Sequence, residues 1–204
     1  MATYTTNRTL LNKVFITTTT IMVIALVVFN LFYITVTIES NSMQPTLKHG
    51  DFLIMKRPAL SKTLHRGALV LFDTHGKNNV LKRIIGVPGD LITMQGKTVF
   101  ITKRGEGQLT EMSNTVISHG QIDQDGYPLS VYKTELDEVD FEVAFTGVVP
   151  TYEAHYFKQS KMPTGQWFVP KNHYFVMGDN RDFSIDSRFF GFVSNDVIKG
   201  VFNK

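Results

Sequence analysis

Residues 81–102 read LKRIIGVPGDLITMQGKTVFIT, and this stretch indicates the fold class. Runs of branched and aromatic residues, which favour strands, are interrupted here by two turn signals. The first is VPGD at 87–90, in which proline and glycine supply the backbone angles of a turn. The second is QGK at 95–97, which is short enough to form the tip of a hairpin. We therefore predict three consecutive strands, at residues 80–87, 91–94 and 98–102.

The same pattern continues on both sides of this stretch. Short runs rich in Val, Ile, Phe and Tyr, bounded by turn residues, predict further strands at residues 51–55, 68–72, 141–149, 166–169, 173–176 and 197–202. After residue 38, no segment of useful length shows the 3.6-residue period of a helix. Residues 105–165 are more polar and only weakly patterned, so we expect an insertion between two β-rich halves, 39–104 and 166–204.

A run without charged residues, 14–38, predicts a transmembrane helix. It is longer than the ~20 residues that a helix needs to cross a bilayer. The hydroxyls of its four consecutive threonines, 17–20, can donate to helix carbonyls. Asn30 lies in the middle of the run, where it either joins the helix to another helix or is merely tolerated.

The charges on either side of this run predict its orientation. Arg8 and Lys13 precede it and Glu39 follows it. Because positive charge stays on the cytoplasmic side, residues 1–13 should be cytoplasmic and the β-rich part exported. A cleaved signal peptide is the alternative, but its apolar region would be shorter, and no small-x-small cleavage site lies near Glu39.

Composition excludes several classes of function. Hydrophobic residues make up 43% and charged residues 19% of the chain, as in folded globular proteins. The net charge is only +3, and the basic residues are scattered, which gives little support to nucleic-acid binding. With no cysteine, the chain has no disulfide, no thiolate metal site and no cysteine nucleophile.

Three segments carry residues suited to chemistry: ESNSMQPTL at 39–47, LKRIIGVPGD at 81–90 and GDNRDFSIDSR at 178–188. Each also has an ordinary structural explanation. The serines of the first could cap a helix or form a turn. The Lys-Arg pair of the second could face solvent on a strand, and the third could be a surface charge network. Taken singly, none of the three indicates a function.

Together and in this order, the three segments resemble the markers of the bacterial type I signal peptidases, S-x-S-M-x-P-T-L, K-R-x-x-G-x-P-G-D and G-D-N-R-D-x-S-x-D-S-R. The resemblance covers the predicted anchor and both β-rich halves and is weak in 105–165. It implies a mainly β protein, with an antiparallel β-sheet catalytic domain that contains a smaller inserted region and follows one transmembrane helix. It also implies a serine endopeptidase of the bacterial inner membrane, acting on preprotein signal peptides.

The resemblance assigns roles to matching residues. Ser42 corresponds to the nucleophile and Lys82 to the general base. Ser40, together with the backbone N–H of Ser42, corresponds to the oxyanion hole, and Ser184 to the hydroxyl that orients the lysine amine. Two structural ion pairs are implied as well, Arg83 with Asp179 and Asp186 with Arg188.

The family binds its substrate as an added strand with shallow pockets for small side chains, a mode in which backbone hydrogen bonds supply affinity. Met43, Leu47 and Leu81 are the candidates for lining these pockets. Ser42 follows the uncharged run by four residues, about 14 Å of extended chain, so the nucleophile is expected at the outer membrane surface.

A lysine base must be neutral, although its reference pKa is about 10.4. The neighbours of Lys82 are Val80, Leu81, Ile84 and Ile85, and burial among such groups disfavours the ammonium form. Neither a metal nor a cofactor is needed. The six histidines show neither metalloprotease spacing nor a nucleophile elbow, but a Ser-His pair assembled from distant residues is an alternative.

The first segment departs from the Pro-Ser-Gly-Ser that many family members have. Here Glu39 places a carboxylate beside the site, and Asn41 could keep the turn by adopting positive φ, as glycine does. Three alternative functions stay open. One is a dedicated peptidase for a single substrate such as a conjugative pilin, which the short chain and single anchor slightly favour. The others are a self-cleaving repressor and a non-catalytic, membrane-tethered binding protein.

Overall fold

One long helix followed by three antiparallel β-sheets makes up the computed structural model, which describes residues 2–58, 64–74, 77–122, 126–146 and 152–203. The helices are α1 Ala2–Phe32 and α2 Ser187–Phe190. The strands are β1 Tyr33–Thr37, β2 Phe52–Lys56, β3 Leu69–Thr74, β4 Lys77–Gly86, β5 Leu91–Gln95, β6 Thr98–Thr102, β7 Leu109–Glu111, β8 Asn114–Ile122, β9 Pro128–Leu136, β10 Val139–Thr146, β11 Gln166–Phe168, β12 His173–Met177, β13 Val193–Ser194 and β14 Ile198–Phe202.

The helix α1 is long and apolar enough to cross a membrane over Leu10–Phe32, 23 residues with a mean hydropathy of 2.3. None of this stretch is buried against the rest of the chain that the structure describes. Within it, Thr18, Thr19 and Thr20 each donate a hydroxyl to the carbonyl four residues earlier, at 2.8–3.0 Å, as predicted. Asn30 donates to the carbonyl of Leu26 at 2.9 Å, so its amide is satisfied within its own helix.

The predicted end of the membrane helix, residue 38, is wrong. The helix ends at Phe32, and the chain continues directly as β1, which pairs with β2 from Tyr33↔Lys56 to Thr37↔Phe52. The sequence of β1, YITVT, is one aromatic residue followed by four β-branched residues, all of which suit a strand. Because this strand is as free of charged residues as residues 14–32 of the helix, the lack of charge did not mark the boundary between them.

Seven strands form the largest sheet, in the order β1-β2-β14-β3-β4-β12-β13. In this sheet β4 lies between β3 and β12, with Val70 opposite Lys82 and Met177 opposite Arg83. The first part of the second motif therefore lies on an interior strand, which is paired with a neighbouring strand on each side.

The other two sheets contain four strands, β11-β5-β6-β7, and three strands, β10-β9-β8. All nine predicted strands are present, with ends shifted by a few residues, and the part of the predicted strand 141–149 beyond residue 146 lies outside the described residues. The predicted hairpin is also confirmed, since Gln95 pairs with Thr98.

Residues 105–165, expected to be a weakly patterned insertion, contain a regular sheet with nine-residue strands β8 and β9. In addition, β7 pairs with β6, so the four-stranded sheet extends past residue 104. Between the sheets, Trp167 is fully buried and packs against Tyr156 and Phe175.

Candidate active site

The serine of the first motif lies on a single 3-10 turn, Asn41–Met43. Met43 is only 1% exposed and belongs to a core cluster with Leu69, Leu71 and Leu81. Its carbonyl also accepts a hydrogen bond from the N–H of Leu47 at 2.9 Å. The side chain after Ser42 thus anchors the turn in the core, while Ser42 itself is half-buried.

The lysine of the second motif reaches this serine. Lys82 is 4% exposed, and its Nζ donates to Ser42 Oγ at 2.5 Å. The two residues are 40 positions apart in the chain, so the contact depends on the tertiary fold. Burial of an amine away from water disfavours its charged form, and the neutral amine is the form able to accept a proton.

A second hydroxyl lies beside the nucleophile. Ser40 is exposed, and its Oγ is 3.0 Å from Ser42 Oγ. Ser40 occupies the N-cap position of the 3-10 turn, but its side chain makes no capping hydrogen bond. The Ser40 hydroxyl is therefore directed to the nucleophile, and the backbone N–H of Ser42 lies in the first turn, where helices have no internal acceptor.

Residues of the third motif hold the backbone of the nucleophile turn in place. The N–H of Asn180 donates to the carbonyl of Ser42 at 3.1 Å, and its side-chain amide donates to the carbonyl of Asn41 at 3.2 Å. Gly178 packs so closely that a Cβ there would lie 2.5 Å from the Ser42 carbonyl oxygen and 2.3 Å from Ser184 Oγ. Sequence reasoning did not assign roles to Asn180 or Gly178, although both lie within the quoted motif.

Ser184 lies against Gly178, on the same side as the nucleophile turn. It is 6% exposed, and its Oγ has no hydrogen-bond partner among the described residues. The structure therefore brings this hydroxyl close to Ser42 but does not bond it to Lys82. Its assignment as the group that orients the lysine stays a prediction.

An ion pair next to Lys82 joins the second and third motifs. Arg83 donates to both carboxylate oxygens of Asp179, from Nε at 2.8 Å and from Nη2 at 2.6 Å. Thr46, from the first motif, donates its hydroxyl to the same carboxylate at 2.6 Å. The guanidinium of Arg83 also lies 4.1 Å from the ring centre of Phe141. One buried carboxylate thus ties all three motifs together.

A second ion pair lies within the third motif. Arg188 donates to Asp186 from Nε and Nη2, both at 2.8 Å, and the N–H of Gly178 donates to Asp186 at 3.0 Å. Burial alone would raise the pKa of Asp186, but the charge and hydrogen bonds of Arg188 outweigh it and hold the pKa below its ordinary value. Asp186 is therefore a charged, fully hydrogen-bonded carboxylate, which fixes the backbone at Gly178.

Comparison with known proteins identifies the family. The sequence profile described as "Signal peptidase, peptidase S26" matches residues 11–203. The chain belongs to the signal peptidase family. Signal peptidase I of Buchnera aphidicola subsp. Acyrthosiphon pisum is 30% identical over 202 residues, which are 80% of this chain and 64% of that protein. Signal peptidase I of Pseudomonas fluorescens is 34% identical over 170 residues, 74% of this chain and 53% of that protein.

The chain thus spans between half and two thirds of the length of these relatives. Signal peptidase I V of Bacillus subtilis is matched over 89% of its own length, with 29% identity over 181 residues. A crystal structure of a signal peptidase I from Enterococcus faecalis is 25% identical and covers 70% of this chain, with a TM-score of 0.38.

The three candidates for substrate pockets differ in exposure. Met43 and Leu81 are 1% and 7% exposed and belong to the core, so in this structure they offer little surface to a peptide. Leu47 is half-buried at the edge of the same cluster. Of the three, Leu47 is best placed to contact a ligand.

The structure also shows the two residues that depart from the signal peptidase pattern, Glu39 and Asn41. Glu39 is exposed beside the nucleophile turn. The suggestion of positive φ at Asn41 is wrong: Asn41 begins the 3-10 turn and is not among the described residues with positive φ. Instead its side-chain oxygen accepts a hydrogen bond from Gln44 at 3.0 Å, which braces the turn without glycine.

The histidine alternative gains no support from the described part of the chain. Five of the six histidines lie there, and none is hydrogen bonded to Ser42; His75 lies outside it. His49, His65, His119 and His155 are exposed, and His173 Nδ1 lies 2.9 Å from the carbonyl of Lys171. Among the described residues, no group of three His, Asp or Glu side chains is placed to hold a metal ion.

Proposed function

We propose that this chain is a membrane-bound serine endopeptidase that removes N-terminal signal peptides from exported preproteins. The observation that carries the proposal is the 2.5 Å contact between Lys82 Nζ and Ser42 Oγ, made by a lysine that is 4% exposed. Membership of the signal peptidase family supports the reaction class and the substrate.

Catalysis begins with proton transfer. Neutral Lys82 accepts the hydroxyl proton of Ser42 as Ser42 Oγ attacks the scissile carbonyl carbon. The resulting oxyanion is bound by the hydroxyl of Ser40 and the backbone N–H of Ser42. The Lys82 ammonium then gives its proton to the departing amine, which leaves an acyl ester on Ser42.

Hydrolysis of the ester uses the same groups. Lys82, neutral again, accepts a proton from water as the hydroxide adds to the ester carbonyl. The oxyanion of this second tetrahedral intermediate is bound by the same two donors, the Ser40 hydroxyl and the Ser42 N–H. When it collapses, the proton on Lys82 passes to Ser42 Oγ, the acid product leaves, and the enzyme is restored.

The ion pairs around Lys82 help to keep it neutral. A free carboxylate near the amine would stabilise its charged form. Asp186 is the carboxylate whose charge interacts with Lys82, and Arg188 neutralises it through two hydrogen bonds. Asp179 is likewise bound by Arg83. We infer that the two arginines weaken the attraction between these carboxylates and the lysine ammonium.

The helix α1 would place this site at the membrane. With the span at Leu10–Phe32 and Lys13 near its start, the positive-inside rule puts the N-terminus in the cytoplasm and the β-sheets outside the inner membrane of a bacterium. Signal peptides, held in the same bilayer, are then the substrates and the lipid bilayer the second partner. A reporter fused after Lys204 should be active only outside the cytoplasm, and cytoplasmic activity would refute this orientation.

The decisive experiment is a cleavage assay on a panel of preproteins and prepilins. Wild type is compared with Ser42→Ala, with Ser113→Ala, at an exposed serine, as the matched control. We expect Ser42→Ala to be inactive and Ser113→Ala to match wild type. Equal cleavage by Ser42→Ala would remove the nucleophile assignment. Cleavage of prepilins alone would indicate the dedicated peptidase, and cleavage of no preprotein would indicate a binding protein.

Substrate variants test the signal-peptidase assignment separately. Shallow pockets should accept Ala, Gly or Ser at the first and third positions before the cut. Phe or Lys at either position should block cleavage because neither side chain fits. Unchanged cleavage of such substrates would argue against signal-peptide recognition while leaving proteolysis intact.

A further inference from the structure

A small cavity lies beside the third motif, beneath the tip of the β5–β6 hairpin. Its volume is about 20 Å³, and its polar lining consists of Lys97, Tyr152, Tyr156, Arg181, Asp182 and Arg188. That volume admits one or two water-sized particles. None of the groups to which the proposed mechanism assigns chemistry is among its lining residues.

The cavity contains buried donors that lack partners. Arg181 is 3% exposed, and its Nε and Nη2 have no hydrogen-bond partner among the described residues. By contrast, the buried guanidiniums of Arg83 and Arg188 each bind a carboxylate through the same two nitrogens. These two N–H groups form the parallel fork with which arginine binds anions.

The charges around the cavity do not balance. The ammonium of Lys97 is 2.7 Å from Asp182, and Arg188 is paired with Asp186. This leaves Arg181 as a surplus positive charge among the lining groups. Burial first, and then repulsion by Arg188, lower the pKa of Arg181 to about 10, so the guanidinium is still charged at neutral pH. A water molecule would satisfy its donors but would not compensate its charge.

We propose that this cavity binds a small monovalent anion of the halide type, held by Nε and Nη2 of Arg181. A monoatomic anion can accept from both nitrogens and fits the volume, whereas carboxylate or phosphate groups are too large. Lys97, which is paired with Asp182, and Tyr152, which is 43% exposed, connect the cavity with solvent.

An anion bound in this cavity would stabilise the backbone segment that holds the nucleophile turn. The backbone N–H of Arg181 donates to the carbonyl of Ala144 at 2.9 Å, and the preceding residue, Asn180, holds the carbonyls of Asn41 and Ser42. An anion bound to Arg181 therefore fixes the segment that carries Asn180. Both thermal stability and activity should increase with chloride.

The test measures thermal unfolding of the full chain in detergent, in sodium chloride and in sodium gluconate at equal ionic strength. Trp167, the single tryptophan and fully buried, reports unfolding through its fluorescence. We expect the wild-type Tm to be about 2–4 °C higher in chloride, and Arg181→Met to show no such difference. Arg104→Met removes a positive charge at an exposed position and should behave like wild type.

Two results would overturn the proposal: a wild-type Tm that is equal in both salts, or a chloride effect of the same size in Arg181→Met. If Arg181→Met does not fold, crystals of the wild type grown in bromide decide the question. An anomalous peak within hydrogen-bond distance of Arg181 Nε and Nη2 supports the site. A water there, or no ordered density, refutes it.

Discussion

Replacing Gly178 by alanine should disturb the nucleophile without touching a reacting group. The added Cβ would lie 2.5 Å from the carbonyl oxygen of Ser42, whereas ordinary contacts begin at 3.4 Å. Restoring contact requires a displacement of about 0.9 Å, the difference between the two distances. Ser184, whose Oγ would be 2.3 Å away, can rotate, but the Ser42 carbonyl is backbone and must move with its turn.

The size of the effect follows from that displacement. A shift of ~1 Å in a reacting group costs about 100-fold in rate, and overpacking of this kind costs about 1–3 kcal/mol in stability. We expect kcat/KM for a preprotein substrate to fall about 100-fold in Gly178→Ala, mostly through kcat. Unfolding followed by the fluorescence of Trp167 should show a Tm lower by several degrees.

The matched control is Gly107→Ala, because a Cβ at Gly107 meets nothing within 4 Å. This variant should match wild type in both kcat/KM and Tm. If Gly178→Ala folds with kcat/KM within threefold of wild type, the close packing does not position Ser42 and the reasoning fails.

Three further predictions concern the residues around the nucleophile. Lys82→Arg should lose ~1000-fold or more in kcat/KM, because guanidinium stays charged at any workable pH, and substantial activity in this variant would mean that another residue is the base. Wild-type kcat/KM should rise with pH on a limb well below 10, as expected for a desolvated lysine, and a rise only above pH 10 would contradict a neutral Lys82. Because the pKa of Asp186 is held below its ordinary value, the stability it contributes should be complete above about pH 4–5 and lost as pH falls through the lower folded-state pKa. Thermal scans from pH 7 to 3 should therefore show a fall in Tm at the acid end that is smaller in Asp186→Asn.

Much of the fold could be predicted because strand and turn residues alternate clearly in both β-rich halves. The strands β8 and β9 were missed for a physical reason. In β9 the buried residues Leu129, Val131, Thr134 and Leu136 are interleaved with half-buried or exposed residues that are mostly polar, and one of the buried side chains is a threonine. One face of such a strand is solvated, so its composition looks like that of a loop.

Only the motif part of the site could be predicted from the sequence. The order of the three motifs indicated Ser42 and Lys82, but their 2.5 Å contact depends on how β4 lies relative to the nucleophile turn. The pairing of Lys97 with Asp182, 85 positions apart, depends equally on sheet register and docking. The guanidinium of Arg181, whose Nε and Nη2 have no hydrogen-bond partner in the described part of the chain, could not be found at all, because a sequence does not show which charges lack a counterion.

The junction between α1 and β1 has a consequence for where a substrate is cut. The helix passes into the sheet without a linker, and Arg57 secures the junction: its N–H donates to the Phe32 carbonyl at 2.9 Å and its Nε to the Asn30 carbonyl at 3.0 Å. These two hydrogen bonds tie the end of α1 to the residue that follows β2, in the sheet that also carries Lys82. If α1 crosses the bilayer as proposed, this junction sets the height of Ser42 above the lipid, and residues inserted between Phe32 and Tyr33 should move the cut along the substrate.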